Sequence, residues 1–343
     1  MSTILDVARE ARVAASTVSR VVNGSARISA RTQQRVHEAI RRVGYQPHAA
    51  GRGRRRQRAW HLAVLYTPQM VVNGAVAHVC RDSIAGVRQE VLDADGHLEI
   101  LAGAQHVDRD IMYRHCMDSG EIHGLIFIGA YRDSGYLEDL KARRLPVVMV
   151  ADRVATPGVS CVYADMYGAG RLAMERLIAL GHRRIALGHL PPSVSWVADQ
   201  RRRGALDLLR EHGLEPVVDR LADKSFDDID YFDDGARLIR DAGATALFCG
   251  DFAAVRYIEA LDRLGLSVPR DVSVIGCDHS ELRPATGQAL STIAFDRPLM
   301  GRLAASTLMK LINQRDEIHH MEISVPVRLL EQETTAPPGR PAA

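Results

Sequence analysis

Between residues 61 and 333, short apolar runs alternate with stretches whose apolar positions recur at helical spacing. The runs are LAVLY (62–66), LEILAG (98–103), GLIFIG (124–129), VVMVA (147–151), RIALGH (184–189), ALFCG (246–250) and VSVIGCD (272–278). Helical patterns fall between them, over Asp82–Ala94, Tyr167–Leu180, Asp199–His212 and Phe252–Gly265. This alternation predicts an α/β core of parallel sheets covered by helices, and its length predicts two lobes. In such sheets ligands bind beyond the carboxyl ends of the strands, so the expected site is the cleft between the lobes.

The first 46 residues carry a different pattern. Thr3 and Asp6 make a capping-box-like start, and Ile4, Val7, Ala8 and Ala11 follow at helical spacing. A second segment runs from Ala15 to Val22 with Val18, Val21 and Val22 facing inward, and Asn23-Gly24 ends it. A third helix is predicted from Ser29 through Val36, Ala39, Ile40 and Val43, stopping at Gly44. Two helices joined by a tight turn with a third across them predict an all-α helix-turn-helix head, which presents its second helix to the DNA major groove. A plain three-helix bundle with a solvated basic face is the alternative.

Charge separates the two readings. Residues 1–59 hold 13 arginines against Asp6, Glu10 and Glu38, a net +10, whereas the remaining 31 cations and 39 carboxylates leave the rest of the chain at −8. A basic head on an acidic body is the footprint of a polyanion-binding module joined to a part with another task. Other classes lose support. No run of about 18 apolar residues is present, so no membrane span is expected. The five cysteines (Cys80, Cys116, Cys161, Cys249, Cys277) are scattered without a CxxC pair, as expected for free thiols in a reducing cytoplasm. Cys277-Asp278-His279 resembles catalytic residues, but neighbours on an extended strand point to opposite faces. With no phosphate-binding loop, metal-ligand cluster or GxSxG, neither an enzyme nor a cofactor is expected.

VAREARVAASTVSRVVNG followed by TQQRVHEAIRRVGYQPHA resembles the head of the lactose-repressor (LacI) family of bacterial transcription regulators, whose signature is similar to VAxxAGVSxxTVSRVLNG and a helix ending in GYxPN. The resemblance implies that Ala15, Ser16 and Arg20 read bases, that Thr17 and Ser19 contact phosphates, and that Thr3, Asn23 and Tyr45 join the DNA-binding surface. Arg12 stands at the family's turn glycine and Ala14 at its capping serine. In the hinge, Arg54 stands where the family places a leucine wedge, directly after Gly51-Arg52-Gly53. Two readings of this segment remain open. Arg52 and Arg54 insert into a narrow A·T-rich minor groove, or the segment is a flexible linker touching phosphates only.

GHRRIALGHLPP, QRRRGALDLLREHGL, GLSVPRDVSVIGCD and ALSTIAFDRPLMGRLA extend the resemblance to the family's regulatory core, which is similar to periplasmic sugar-binding proteins. It implies a cleft lined by Arg201, Asp251 and Asp278, with Gln69, Asn73 and Tyr131 at the entrance and Phe295 and Arg297 among the last contacts. Trp196 offers a stacking face or packs against its own lobe. Each charged group also has a bland reading as a structural ion pair. The family's asparagine before Asp251 is Gly250, and sugar-stacking aromatics are absent after Asn73.

The expected organisation is a helix-turn-helix domain (1–46), a basic hinge (47–60), a two-lobed periplasmic-binding-protein-like effector and dimerisation core (61–333) and a disordered tail (334–343). The expected function is a cytoplasmic DNA-binding regulator, a repressor in most of the family. It binds a pseudopalindromic double-stranded operator as a homodimer and answers to a small molecule such as a sugar or polyol. The alternative is an altered pocket that answers to a non-sugar ligand, a protein partner or nothing.

Overall fold

The computed structural model describes residues 4–22, 29–43, 60–66, 71–72, 75–76, 78–102, 121–129, 145–151, 153, 159–189, 196–221, 229–314 and 320–339. Two compact units divide the chain, Met1–Ala59 and Trp60–Ala343.

In the first unit, α1 (Ile4–Ala11), α2 (Ala15–Val22) and α3 (Ala30–Val43) enclose Val7, Ala8, Ala11, Val18, Val21, Val36 and Ala39. Ser29 caps α3, its hydroxyl accepting from the Thr32 amide at 3.4 Å. Between α1 and α2, Arg12 adopts the left-handed region at φ 49°. The amides of Arg12 and Val13 reach back to the carbonyls of Arg9 (3.3 Å) and Ala8 (3.0 Å). This is a Schellman closure with arginine at the position that favours glycine.

The second unit contains two six-stranded sheets. Its elements begin with β1 (His61–Tyr66), β2 (Val71–Val72), β3 (Ala75–Val76), α4 (His78–Asp93), β4 (His97–Ala102), β5 (Gly124–Ile128), β6 (Val147–Val150) and β7 (Ser160–Ala164). They continue with α5 (Met166–Ala179), β8 (Ile185–His189), α6 (Trp196–Glu211), β9 (Val218–Leu221), α7 (Ile229–Asp241), β10 (Ala246–Phe248) and α8 (Asp251–Arg263). The last are β11 (Ser273–Cys277), β12 (Ser291–Phe295), α9 (Arg297–Asn313), β13 (Glu322–Val325) and β14 (Val327–Leu330). The first sheet has the order β13-β7-β6-β5-β1-β4 and is parallel throughout. The second has the order β14-β12-β11-β10-β8-β9, with only its edge strand β14 antiparallel. Every residue of β5, β6 and β11 is buried. Strands covered on both faces read as unbroken apolar runs rather than alternating ones.

The chain crosses between the sheets from β7 to α5, from β12 to α9 and from β13 to β14. An aspartate starts each crossing helix. Asp165 accepts from the Gly168 amide at 2.8 Å, and Asp296 accepts from the Leu299 amide at 2.7 Å. Each lobe then packs a helix pair through glycines. In one lobe, a side chain on Gly170 or Gly204 would collide with the backbone of the facing helix, α6 or α5. In the other, Gly86 and Gly301 make the same close approach between α4 and α9.

The tail departs from expectation over residues 334–339. Thr334 is fully buried, donates to the Val274 carbonyl at 2.7 Å and accepts from the Ser291 amide at 2.9 Å. Ala336 pairs with the Ser273 hydroxyl, and its carbonyl also meets His182 Nε2 at 2.9 Å. A proline- and alanine-rich composition pointed to disorder, but these backbone groups find partners beside β11 and become part of the fold.

Candidate functional site

The helix α2 is the one that the resemblance assigns to reading bases. Thr17 is half-buried, and the Ala15 methyl group packs partly against the head's own core. That leaves little of Ala15 to offer a base. The backbones of Ser16, Ser19 and Arg20 lie on α2, but their side chains are outside the described residues, as are Thr3, Asn23, Tyr45, Arg52 and Arg54. Ala14 precedes α2 and caps it with its carbonyl alone, accepting from Thr17 at 2.8 Å and Val18 at 3.2 Å.

In the core, the carboxyl ends of β10, β11 and β12 bring charged side chains together with α6. Arg201 on α6 is only 7% exposed, and its Nε has no hydrogen-bond partner among the described residues. Beside it, Gly250 begins α8 without a side-chain cap. A methyl group on Gly250 would stand 3.5 Å from Arg201 Nη2 and 3.7 Å from Asp278 Oδ2, so the two charged groups converge there. Asp278 sits at φ 124°, a strained backbone position just past β11. Arg297, the first residue of α9, is 3% exposed and donates from Nη2 to the Asp278 carbonyl. Its guanidinium lies 4.4 Å above the Phe295 ring, and its Nε is also unpartnered among the described residues.

Asp251 has a different task. Its carboxylate accepts from the Ser280 amide and the Thr292 hydroxyl, both at 2.6 Å. A side chain on Gly276 would run into this carboxylate, so glycine in β11 makes room for it. Asp251 therefore fastens the loop carrying Asp278 to β12. Burial raises the carboxyls of both Asp251 and Asp278 above the usual range. Repulsion from Asp278 adds to the rise at Asp251, while Arg201 and Arg297 oppose it at Asp278.

Trp196, the first residue of α6, packs across onto the other lobe. Its ring meets Tyr163 of β7 edge-on at 5.1 Å, and Arg153 lies 5.7 Å over it. Arg153 is itself held by Glu322 of β13 through bonds of 3.0 and 2.9 Å. Trp196 thus links the lobes. Gln69, Asn73 and Tyr131 lie outside the described residues.

The structure therefore brings together Arg201, Asp278, Arg297 and Phe295, with Asp251 behind them as a clamp. The roles of Gly250, Gly276 and Thr292 were not legible beforehand, because each depends on a contact between distant segments. Cys277 is fully buried and burial pushes its thiol up to about 12, which leaves it protonated and a poor nucleophile. Among the described residues no cluster of histidine, cysteine or carboxylate side chains is placed to hold a metal ion, and no helix is long and apolar enough to cross a membrane.

Residues 3–48 match the model of bacterial regulatory proteins of the lacI family, and residues 174–335 match that of the periplasmic binding protein-like domain. The head thus carries a lacI-family domain, and the core carries a periplasmic binding protein-like domain. Catabolite control protein A of Priestia megaterium is 28% identical over 97% of this chain and 99% of its own length. The HTH-type transcriptional regulator MalR of Streptomyces coelicolor is 29% identical over 98% and 97%. The fold is shared with the lac repressor dimer bound to operator and the anti-inducer ONPF, at a TM-score of 0.66 and 24% identity, covering 98% of this chain and 99% of that one. The protein is a DNA-binding transcriptional regulator, and its relatives are regulators rather than enzymes.

Proposed function

We propose that the protein is an effector-responsive repressor that binds a pseudopalindromic operator as a homodimer. The helix α2 enters the major groove, with Ser16 and Arg20 reading bases and Thr17 and Ser19 on phosphates. A small molecule binds in the cleft between the two sheets and changes operator affinity. Arg201, Asp278 and Arg297 hold it, Asp251 fixes the loop that carries Asp278, and Trp196 bridges the lobes around it. The observation that carries this reading is Arg201, a guanidinium 7% exposed whose Nε lacks a partner among the described residues. A buried charged donor left unpaired is costly, which favours a ligand that supplies the acceptor. The lac repressor, which has this fold, is known as a dimer with operator and an anti-inducer bound together.

The test is operator binding by fluorescence anisotropy, run beside a thermal-shift screen of sugars, polyols, nucleosides and small acids. A hit should change operator affinity in the wild-type protein, and Arg201→Ala should abolish both its thermal shift and its effect on DNA. A hit that survives Arg201→Ala would place the effector elsewhere.

A further inference from the structure

Building on the effector reading above, we propose that the cleft takes an anionic effector, a small polyhydroxylated acid whose carboxylate or phosphate end is held between Arg201 and Arg297. Three independent features of the cleft support this chemistry.

The first is the supply of unused donors. Arg201 and Arg297 are 7% and 3% exposed, and the Nε of each is buried without a partner among the described residues. The Nε edge of a guanidinium presents two parallel N–H groups, a fork that fits the paired oxygens of a carboxylate or phosphate. A neutral hydroxyl meets one of these donors at a time.

The second is the balance of hydrogen-bond donors and acceptors. Of the two carboxylates nearby, Asp251 spends its oxygens on Ser280 and Thr292 at 2.6 Å each. Asp278 is left to face both guanidiniums, and the Arg297 bond goes to its carbonyl rather than its carboxylate. Two guanidiniums therefore face one carboxylate with acceptor oxygens to spare, so donors outnumber acceptors in the cleft.

The third is the shape of the floor. Phe295, an aromatic side chain on the floor among the described residues, has one face covered by the Arg297 guanidinium at 4.4 Å. Gly250 leaves open the space beside Arg201 Nη2 and Asp278 Oδ2 that even a methyl group would occupy. That space lies between the Arg201 guanidinium and the Asp278 carboxylate and is large enough for an oxygen of the ligand.

The full-length protein is titrated with aldonates, uronates and hexose phosphates and with their neutral parent sugars. Acetate and inorganic phosphate serve as minimal probes, and sodium chloride holds ionic strength constant. The readouts are thermal stability and calorimetric affinity, for the wild type, Arg297→Gln and Gly250→Ala. Acids should bind the wild type in preference to their neutral parents, and this preference should fall about tenfold or more in both variants. Aldonates and uronates leading the panel would identify a carboxylate, and hexose phosphates leading it would identify a phosphate. Gly250→Ala keeps the test decisive where Arg297→Gln loosens the Asp278 loop. The backbone at Gly250 (φ −72°, ψ 153°) suits alanine, and the added methyl meets its neighbours at ordinary contact distance.

Neutral sugars binding as tightly as acids, with a dependence on Arg201, would overturn the anionic assignment while leaving an effector cleft in place. Acids acting equally on the wild type and both variants would overturn it too, by assigning them to the basic head. No response to any compound, in binding or in operator affinity, would overturn this proposal and the effector reading together.

Discussion

Arg12 shows how one residue can be costly to the fold while adding positive charge to the head. At φ 49° its side chain is held in a left-handed backbone position that costs a non-glycine residue about 1 kcal/mol. Two residues on, Ala14 offers α2 no side-chain acceptor, and a missing cap costs about 1 kcal/mol more. Arg12→Gly and Ala14→Ser should therefore each stabilise the head by about 1 kcal/mol, measured by denaturant unfolding of the full chain followed at the head's helical signal. Arg12→Gly should at the same time weaken operator binding, because it removes a cation near α2. If Arg12→Gly leaves stability unchanged, the left-handed turn is not present in solution. The two departures from the family pattern were visible in the sequence as identities. Their cost was not, since it depends on backbone angles and cap bonds. The cleft behaves the same way. Arg201 and Asp278 were legible through the resemblance, whereas the covered face of Phe295 and the spent carboxylate of Asp251 arise from contacts between segments far apart in the chain.

Elements were legible where burial is uniform. LAVLY, GLIFIG, VVMVA and VSVIGCD are covered on both faces, and each falls on a strand, β1, β5, β6 or β11. Ser160–Ala164 and Ser291–Phe295 did not announce themselves, because Ser160, Ser291 and Thr292 interrupt the apolar signal. All three are buried and hydrogen-bonded, to the Met321 amide, the Gln332 amide and Asp251 respectively. The tail escaped notice for a related reason. It is held by polar bonds to Ser273, Val274 and His182 rather than by an apolar face.

His182 makes that attachment sensitive to pH. Burial lowers its pKa, although the bond to the Ala336 carbonyl works against the shift. The unfolded chain binds the proton at the ordinary histidine value of about 6.5, while the folded chain resists it to lower pH. The contribution of His182 to stability is thus fully present above about 6.5 and is lost as pH falls below that value. On acidification from about pH 8 to about pH 5, the wild type should lose more thermal stability than His182→Gln, whose side chain does not titrate in this range. Parallel melting profiles for the two proteins would show that the ring is not buried in its neutral form.

Over the whole molecule, the opposed charges of head and body make salt the decisive variable. A net +10 in residues 1–59 draws the protein to a polyanion, while −8 over the remainder opposes wrapping of the core onto DNA. Contacts should be confined to the head and hinge, and each neutralised phosphate should add about 0.9 to the slope of log affinity against log salt. The operator complex should therefore weaken steeply with salt, and a slope near zero would contradict the assignment of the head. The hinge itself lies outside the described residues, yet the same measurement separates its two readings. If Arg52 and Arg54 touch phosphates only, replacing both with glutamine should lower the slope by about 2 and weaken all operators alike. If they enter a narrow minor groove, the loss should be greatest for operators with an A·T-rich centre, and the wild-type preference for such centres should disappear in the double variant. Equal slopes and unchanged sequence preference would show that the hinge arginines do not contact DNA, leaving operator affinity to the helix-turn-helix alone.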